Sequence, residues 1–234
     1  MKTTLPIYDL TPFTMLDFPD RTAAIVWFAG CNMRCAYCHN PQIVRGKSGR
    51  KSAEDVLSFL KKRQGLLDGI VLSGGEATLY KDIIGFAESV KRMGFAIKLD
   101  TNGTRPDIVR QMLDRQLLDF IALDYKAPPS KTKTVTGVKL HTPFEQTLSM
   151  LCAQTKVPFE VRTTVHTHLM GEEDIMDIAN DLHVKRYKGP YHVQNYMNNG
   201  GPTLGDLPEQ SRILSIPDIR ESTPDSVSIS ARNF

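Results

Sequence analysis

The chain has little cysteine, one tryptophan and no long apolar run. Four Cys among 234 residues, three of them packed into Cys31–Cys38, do not make the scaffold of a disulfide-stapled secreted domain, because an odd, crowded set cannot pair off. No stretch approaches the ~20 apolar residues of a membrane span. Lys2 is followed by no apolar core before Pro6, so no secretory leader is expected. An excess of one charge sign is missing too: 29 basic against 26 acidic side chains argue for neither nucleic acid nor membrane as a partner. Low-complexity segments and linkers are absent. These gaps leave a cytoplasmic chain in a reducing compartment, long enough for one domain of α/β-barrel size.

What is present alternates. Residues 1–21 hold Pro6 and Pro12 ahead of Asp17-Phe-Pro-Asp-Arg21, and read as an extended, turned lead-in. The apolar runs Thr22–Ala29, Ile70–Leu72, Ala96–Leu99, Phe120–Leu123, Phe159–Val165 and Tyr191–Tyr196 read as six strands. Helical spacing follows the second to fifth of them, as in Ile83, Phe86, Ala87 and Val90, or Ile175, Ile178, Ala179 and Leu182. Ahead of the second, Ser52 is placed to cap a helix that Gly65 stops, and Thr142 to cap one with Pro143 at its first position. Six βα units predict an α/β fold, an incomplete (β/α)6 parallel barrel over 22–196, with 197–234 an unassigned C-terminal extension. Cys152 falls beside the stripe Phe144, Thr147, Leu148 and Leu151, where a core thiol is expected.

The chemistry centres on Cys31-Asn-Met-Arg-Cys35-Ala-Tyr-Cys38. Structural zinc takes four ligands in a closed tetrahedron, which His39 could complete; an iron–sulfur cube takes one Cys per iron. A cube held by three Cys has one iron open to a substrate. The C-x3-C-x2-C spacing resembles the signature of the radical S-adenosylmethionine (SAM) enzymes, and implies a [4Fe–4S] cluster on Cys31, Cys35 and Cys38 with SAM on the open iron. Tyr37 is then placed to pack near the adenine or to shield the cluster.

Further polar motifs follow strands two to four. Ser73-Gly-Gly-Glu76 can be read as a plain strand-to-helix turn, Asp100-Thr-Asn-Gly103 as a turn, and Asp124 with Lys126 as an ion pair. All lie at strand carboxyl ends, the edge where sites form in parallel α/β folds. Taken with Cys38-His-Asn-Pro41, they resemble the glycyl-radical-enzyme activases, and within that group the anaerobic ribonucleotide reductase activating proteins. The resemblance implies that Gly74, Gly75 and Glu76 hold the amino end of SAM. It places Lys126 near the SAM polar groups, with Arg162 as a candidate for an anionic group and Gln194 as the candidate on strand six. Asp100, Thr101 and Asp124 fall at a monovalent cation beside the SAM carboxylate, and Asp17 on a loop touching the substrate peptide. The implied partners are a glycyl radical enzyme, anaerobic ribonucleotide reductase, and an electron donor such as flavodoxin or ferredoxin. The activity implied is reductive cleavage of SAM and removal of hydrogen from one glycine of the partner. Cysteines for further clusters are missing, which excludes the extended activases. A radical SAM enzyme acting on a small molecule, of the deazapurine-forming type, and a zinc-stabilised binding module are the alternatives. His166 and His168 could share a face as a metal pair or form an exposed polar edge, and Lys131, Lys133 and Lys139 form a basic loop.

Overall fold

A computed structural model describes residues 5–234. The chain forms two compact units, and each is described by itself.

The first unit contains residues up to 32, 42–101 and 105–122. It opens with β1 (Ile7–Thr14), which pairs antiparallel with β2 (Ala23–Phe28). β2 then pairs in parallel with β3 (Gly69–Gly74), and β3 with β4 (Ala96–Thr101). The lead-in expected to be merely extended is therefore a strand. Pro12 is tolerated there because β1, among this unit's strands, pairs on one side only, and an edge residue can do without an N–H. Four helices lie in the connections: α1 (Pro41–Arg45), α2 (Ala53–Lys61), α3 (Ile83–Arg92) and α4 (Pro106–Asp114). Ser52 caps α2 as its sequence predicts; its hydroxyl accepts from the Asp55 N–H at 3.1 Å while Asp55 reaches back to the Ser52 N–H. At the amino ends of the strands Phe18 is buried against Ala23, Ile25, Val71 and Ala96. Trp27 of β2 is partly buried and donates its indole N–H to the Thr11 hydroxyl at 2.9 Å.

β5 (Phe120–Asp124) runs from the first unit into the second, which holds residues 33–41, 102–104 and 123–234. Here β6 (Phe159–Val165), β7 (Pro190–Asn195) and β8 (Ser228–Arg232) pair in parallel, in chain order. The helices are α5 (Thr132–Thr136), α6 (His141–Ala153), α7 (Glu172–Val184) and α8 (Ile216–Glu221). β8 and α8 give the unassigned tail a structure. α6 begins at His141, two residues before Pro143, so Thr142 lies inside the helix and does not cap it. Its stripe of Phe144, Thr147, Leu148 and Leu151 is buried as expected. Cys152 flanks that stripe, and burial pushes its thiol up to about 11. None of the described helices is long and apolar enough to cross a membrane.

Candidate functional site

In the first unit, β2 runs through Ala29 and Gly30 to Cys31, and β3 ends in the Ser73–Glu76 turn pressed against it. The Gly75 N–H donates to the Phe28 carbonyl at 2.8 Å, and the Glu76 N–H to the Gly30 carbonyl at 2.9 Å. A Cβ on Gly75 would stand 2.0 Å from the Gly30 oxygen, and Gly74 has a φ of +117° with Phe28 backbone 2.4 Å from its Cβ position. Glycine is therefore required twice, by close approach and by backbone conformation. Glu76 is buried; its Oε1 accepts from the Thr78 N–H (3.1 Å), the Thr78 hydroxyl (2.6 Å) and the Thr101 hydroxyl (2.9 Å). Asp100, on the adjacent strand, accepts from the Ser73 hydroxyl at 3.1 Å and pairs with Lys98 at 2.6 Å. Lys98 is 2 % exposed, and its position two residues before Asp100 puts both on one face of β4. Asp17 lies in the β1–β2 turn, at the amino ends of these strands, away from the carboxyl ends that carry Cys31.

In the second unit Asp124 is the hub. Its Oδ1 accepts from the Arg162 guanidinium at 3.0 Å and its Oδ2 from the Lys126 ammonium at 3.0 Å. Burial alone would raise the Asp124 carboxyl, but Arg162 and Lys126 outweigh it and hold the group below the usual carboxylate range. Burial likewise opposes the charge on Lys126, yet Asp124, Tyr37 and Cys35 raise it well above its ordinary value. The ion pair read from sequence is thus present, with Arg162 as a third member. Asn102-Gly103 makes the expected turn: Asn102 Oδ1 accepts from the Thr104 N–H at 3.1 Å, and Gly103 has a φ of +72°. Gln194 is half-buried near the end of β7.

The cysteine loop itself is held from several sides. The Arg34 N–H donates to the Thr136 carbonyl at 2.7 Å, and the Cys38 N–H to the Cys35 carbonyl at 3.0 Å. Burial pushes the Cys35 thiol up, against the pull of Lys126. The Tyr37 hydroxyl is buried with no hydrogen-bond partner, which leaves a polar group inside the loop unsatisfied. His39 stacks on Tyr196, ring centroids 4.9 Å apart and planes 6° apart, so its ring is used in packing. His166 is buried against Tyr196 and lies 5.4 Å from His168, ring to ring; it is not on an exposed edge, and burial, then His168, lowers its pKa. Lys131 of the basic loop pairs with Asp174 at 2.7 Å.

None of the four cysteines is in a disulfide. Among the described residues no three His, Cys, Asp or Glu side chains are gathered as a single metal ion would require. A cube makes a different demand, because its thiolates bind separate irons. Three thiols in one short stretch of chain, with the unsatisfied Tyr37 phenol between the last two, suit such a group. Sequence reasoning passed over Lys98, although a lysine inside an apolar strand is itself a signal, and it passed over Ser73 as a partner of Asp100.

A family model, the radical SAM superfamily, matches residues 25–184. A Methanocaldococcus jannaschii protein named "Putative glycyl-radical enzyme activating enzyme" is 35% identical over 179 residues, which cover 73% of this chain and 72% of that protein. The pyruvate formate-lyase-activating enzyme of Streptococcus mutans is 35% identical over 126 residues, 48% of each chain. Among solved structures, Streptococcus suis SuiB bound to S-adenosylmethionine superposes with a TM-score of 0.64 at 14% identity, over 89% of this chain and 52% of that one. At that identity the likeness is one of fold alone.

Proposed function

The chain belongs to the radical SAM superfamily, and from that premise we propose that it activates a glycyl radical enzyme, anaerobic ribonucleotide reductase, in the cytoplasm. The observation that carries the activase reading is the similarity, over most of both chains, to a protein named as a glycyl-radical enzyme activating enzyme; the choice of the reductase rests on the resemblance of the motifs alone. When bound, a [4Fe–4S] cluster and SAM supply one-electron chemistry strong enough to remove hydrogen from a glycine α-carbon.

The chain's own residues would act as follows. Cys31, Cys35 and Cys38 hold the cluster, leaving one corner for SAM. Buried Glu76 offers a carboxylate to the SAM ammonium, and Gly74 and Gly75 present it by letting this turn pack against the Phe28 and Gly30 backbone. Lys126 and Arg162 keep their charge beside Asp124 and are suited to anionic or polar groups of SAM. Asp100, Thr101 and Asp124 supply oxygen atoms of the kind a monovalent cation takes. Tyr37 keeps water from the loop and Gln194 is a polar contact on β7; Asp17, at the opposite edge of the strands, would meet a part of the substrate peptide away from the cluster. Flavodoxin or ferredoxin is the electron donor.

The test is anaerobic. Reconstituted protein with SAM and reductant should release 5′-deoxyadenosine, and with the reductase should give a glycyl doublet in electron paramagnetic resonance. No deoxyadenosine from iron-loaded protein would sink the reading. Turnover of a small heterocycle with no protein partner would replace it with the small-molecule alternative.

A further inference from the structure

Residues 197–234 carry no recognisable motif, yet part of this tail is bonded to the cysteine loop. The Leu204 N–H donates to the Cys38 carbonyl at 3.0 Å, and the Gly205 N–H to the Ala36 carbonyl at 3.0 Å. Contact is so close that a Cβ on Gly205 would lie 2.9 Å from the Ala36 Cβ. Further along, the same segment is anchored to the ends of two strands. The Thr167 N–H, just past β6, donates to Gln210 Oε1 at 3.0 Å, and Gln210 Nε2 donates to Asn195 Oδ1, at the end of β7, at 2.7 Å. The Thr167 hydroxyl donates to the Arg212 carbonyl at 3.0 Å, and Arg212 pairs with Glu172 on α7 at 2.7 Å. Between its anchors the segment walls a cavity of about 340 Å³ lined by His166, Tyr196, Asn198 and Glu209. Tyr196 on that wall is the residue that stacks on His39, next to Cys38.

We propose that Thr203–Gln210 is a clasp that positions Cys35 and Cys38 for the cluster. A loop with three ligands must be ordered before it can hold a cube, and ordering costs conformational entropy. Backbone bonds to Ala36 and Cys38 fix the carbonyls beside two of the ligands, and the Gln210 anchors tie the clasp to β6 and β7. The residues concerned are positioning residues. The inference rests on the cluster that the superfamily implies and not on the identity of the glycine-bearing partner.

The experiment uses anaerobically loaded full-length protein. Leu204→Pro deletes the N–H that reaches Cys38, and Gly205→Val drives a side chain into Ala36. Gly201→Ala, where nothing lies within 4 Å of the added atom, is the control. Each net hydrogen bond lost corresponds to a change of about fivefold. Iron loss to a ferrous chelator should therefore be at least about fivefold faster in both clasp variants than in the control. Amide exchange across 33–41 should rise in the metal-free chain, and the resonance spectrum of the reduced cluster should shift. Should Leu204→Pro or Gly205→Val fail to fold, the milder Gly205→Ala decides, with smaller effects of the same sign. Control-like iron loss, or faster iron loss with unchanged exchange over 33–41, overturns the clasp. None of these readouts involves a glycyl radical, so a failed partner assignment leaves them intact.

Discussion

Gly75→Ala offers the sharpest check on the reading of the Ser73–Glu76 turn. The added methyl would lie 2.0 Å from the Gly30 oxygen, 2.6 Å from its carbonyl carbon and 3.2 Å from the Cys31 nitrogen. Every one of these atoms is backbone, so no side-chain rotation relieves the clash. The turn must retreat by more than an ångström to restore ordinary contact, which stretches the Gly75–Phe28 and Glu76–Gly30 bonds of 2.8 and 2.9 Å past their useful range. Overpacking costs roughly 1–3 kcal/mol, and a buried backbone group left unpaired about 1–3 kcal/mol. A loss of roughly 2–6 kcal/mol lowers the melting temperature of a chain this size by roughly 4–24 °C. Thermal unfolding of metal-free protein under reductant measures it. Gly85→Ala is the matched comparison: Gly85 is exposed on α3 with nothing within 4 Å, and alanine there should stabilise by up to about 1 kcal/mol. The two Gly→Ala changes thus have opposite signs. Wild-type stability in Gly75→Ala would refute the close approach, and with it the argument that this turn must be glycine.

Lys98→Met should destabilise by roughly 3–5 kcal/mol in urea titration, because it removes the buried ammonium that pairs with the mostly buried Asp100 carboxylate. The double variant with Asp100→Asn should recover most of that loss, and a simple sum of two penalties would argue against the pair. A hydrogen bond from Arg212 holds the Glu172 carboxyl at about 2, against an ordinary 4.5. The unfolded chain then binds the proton more readily, so the stabilisation is complete above about pH 4.5 and fades as pH falls toward 2. Glu172→Gln should flatten that part of the stability–pH curve, by at most about 1 kcal/mol since Arg212 is half exposed. Replacing Cys35 or Cys38 with Ser should abolish iron retention after anaerobic reconstitution, whereas Cys152→Ser should leave it unchanged; equal loss in all three would mean a different ligand set.

The six strands β2–β7 were readable because apolar runs bounded by glycine and polar turns leave few other options. The other two strands were not. β1 mixes Pro12 and exposed polar residues along an edge, and the five-residue β8 is a partly exposed strand whose apolar content is too thin to announce itself. α6 started early because Pro143 fits the first turn of a helix as well as its first residue. Motif residues such as Glu76, Asp100 and Asp124 were found because side-chain chemistry is written in residue type. Their partners were harder: Asp124 meets Arg162 from a strand 38 residues away. The tail's hold on the cysteine loop left no trace in residue type, since backbone N–H and C=O groups form it.

That hold also has a consequence for the order in which the protein is made. Cys38 leaves the ribosome about 165 residues ahead of Leu204, its later hydrogen-bond partner. At 5–20 residues per second this is an interval of roughly 8–30 s. Throughout it the thiols stand in a nascent segment with no tail to meet, so a cube inserted in that interval would lack the ordering that the latch supplies.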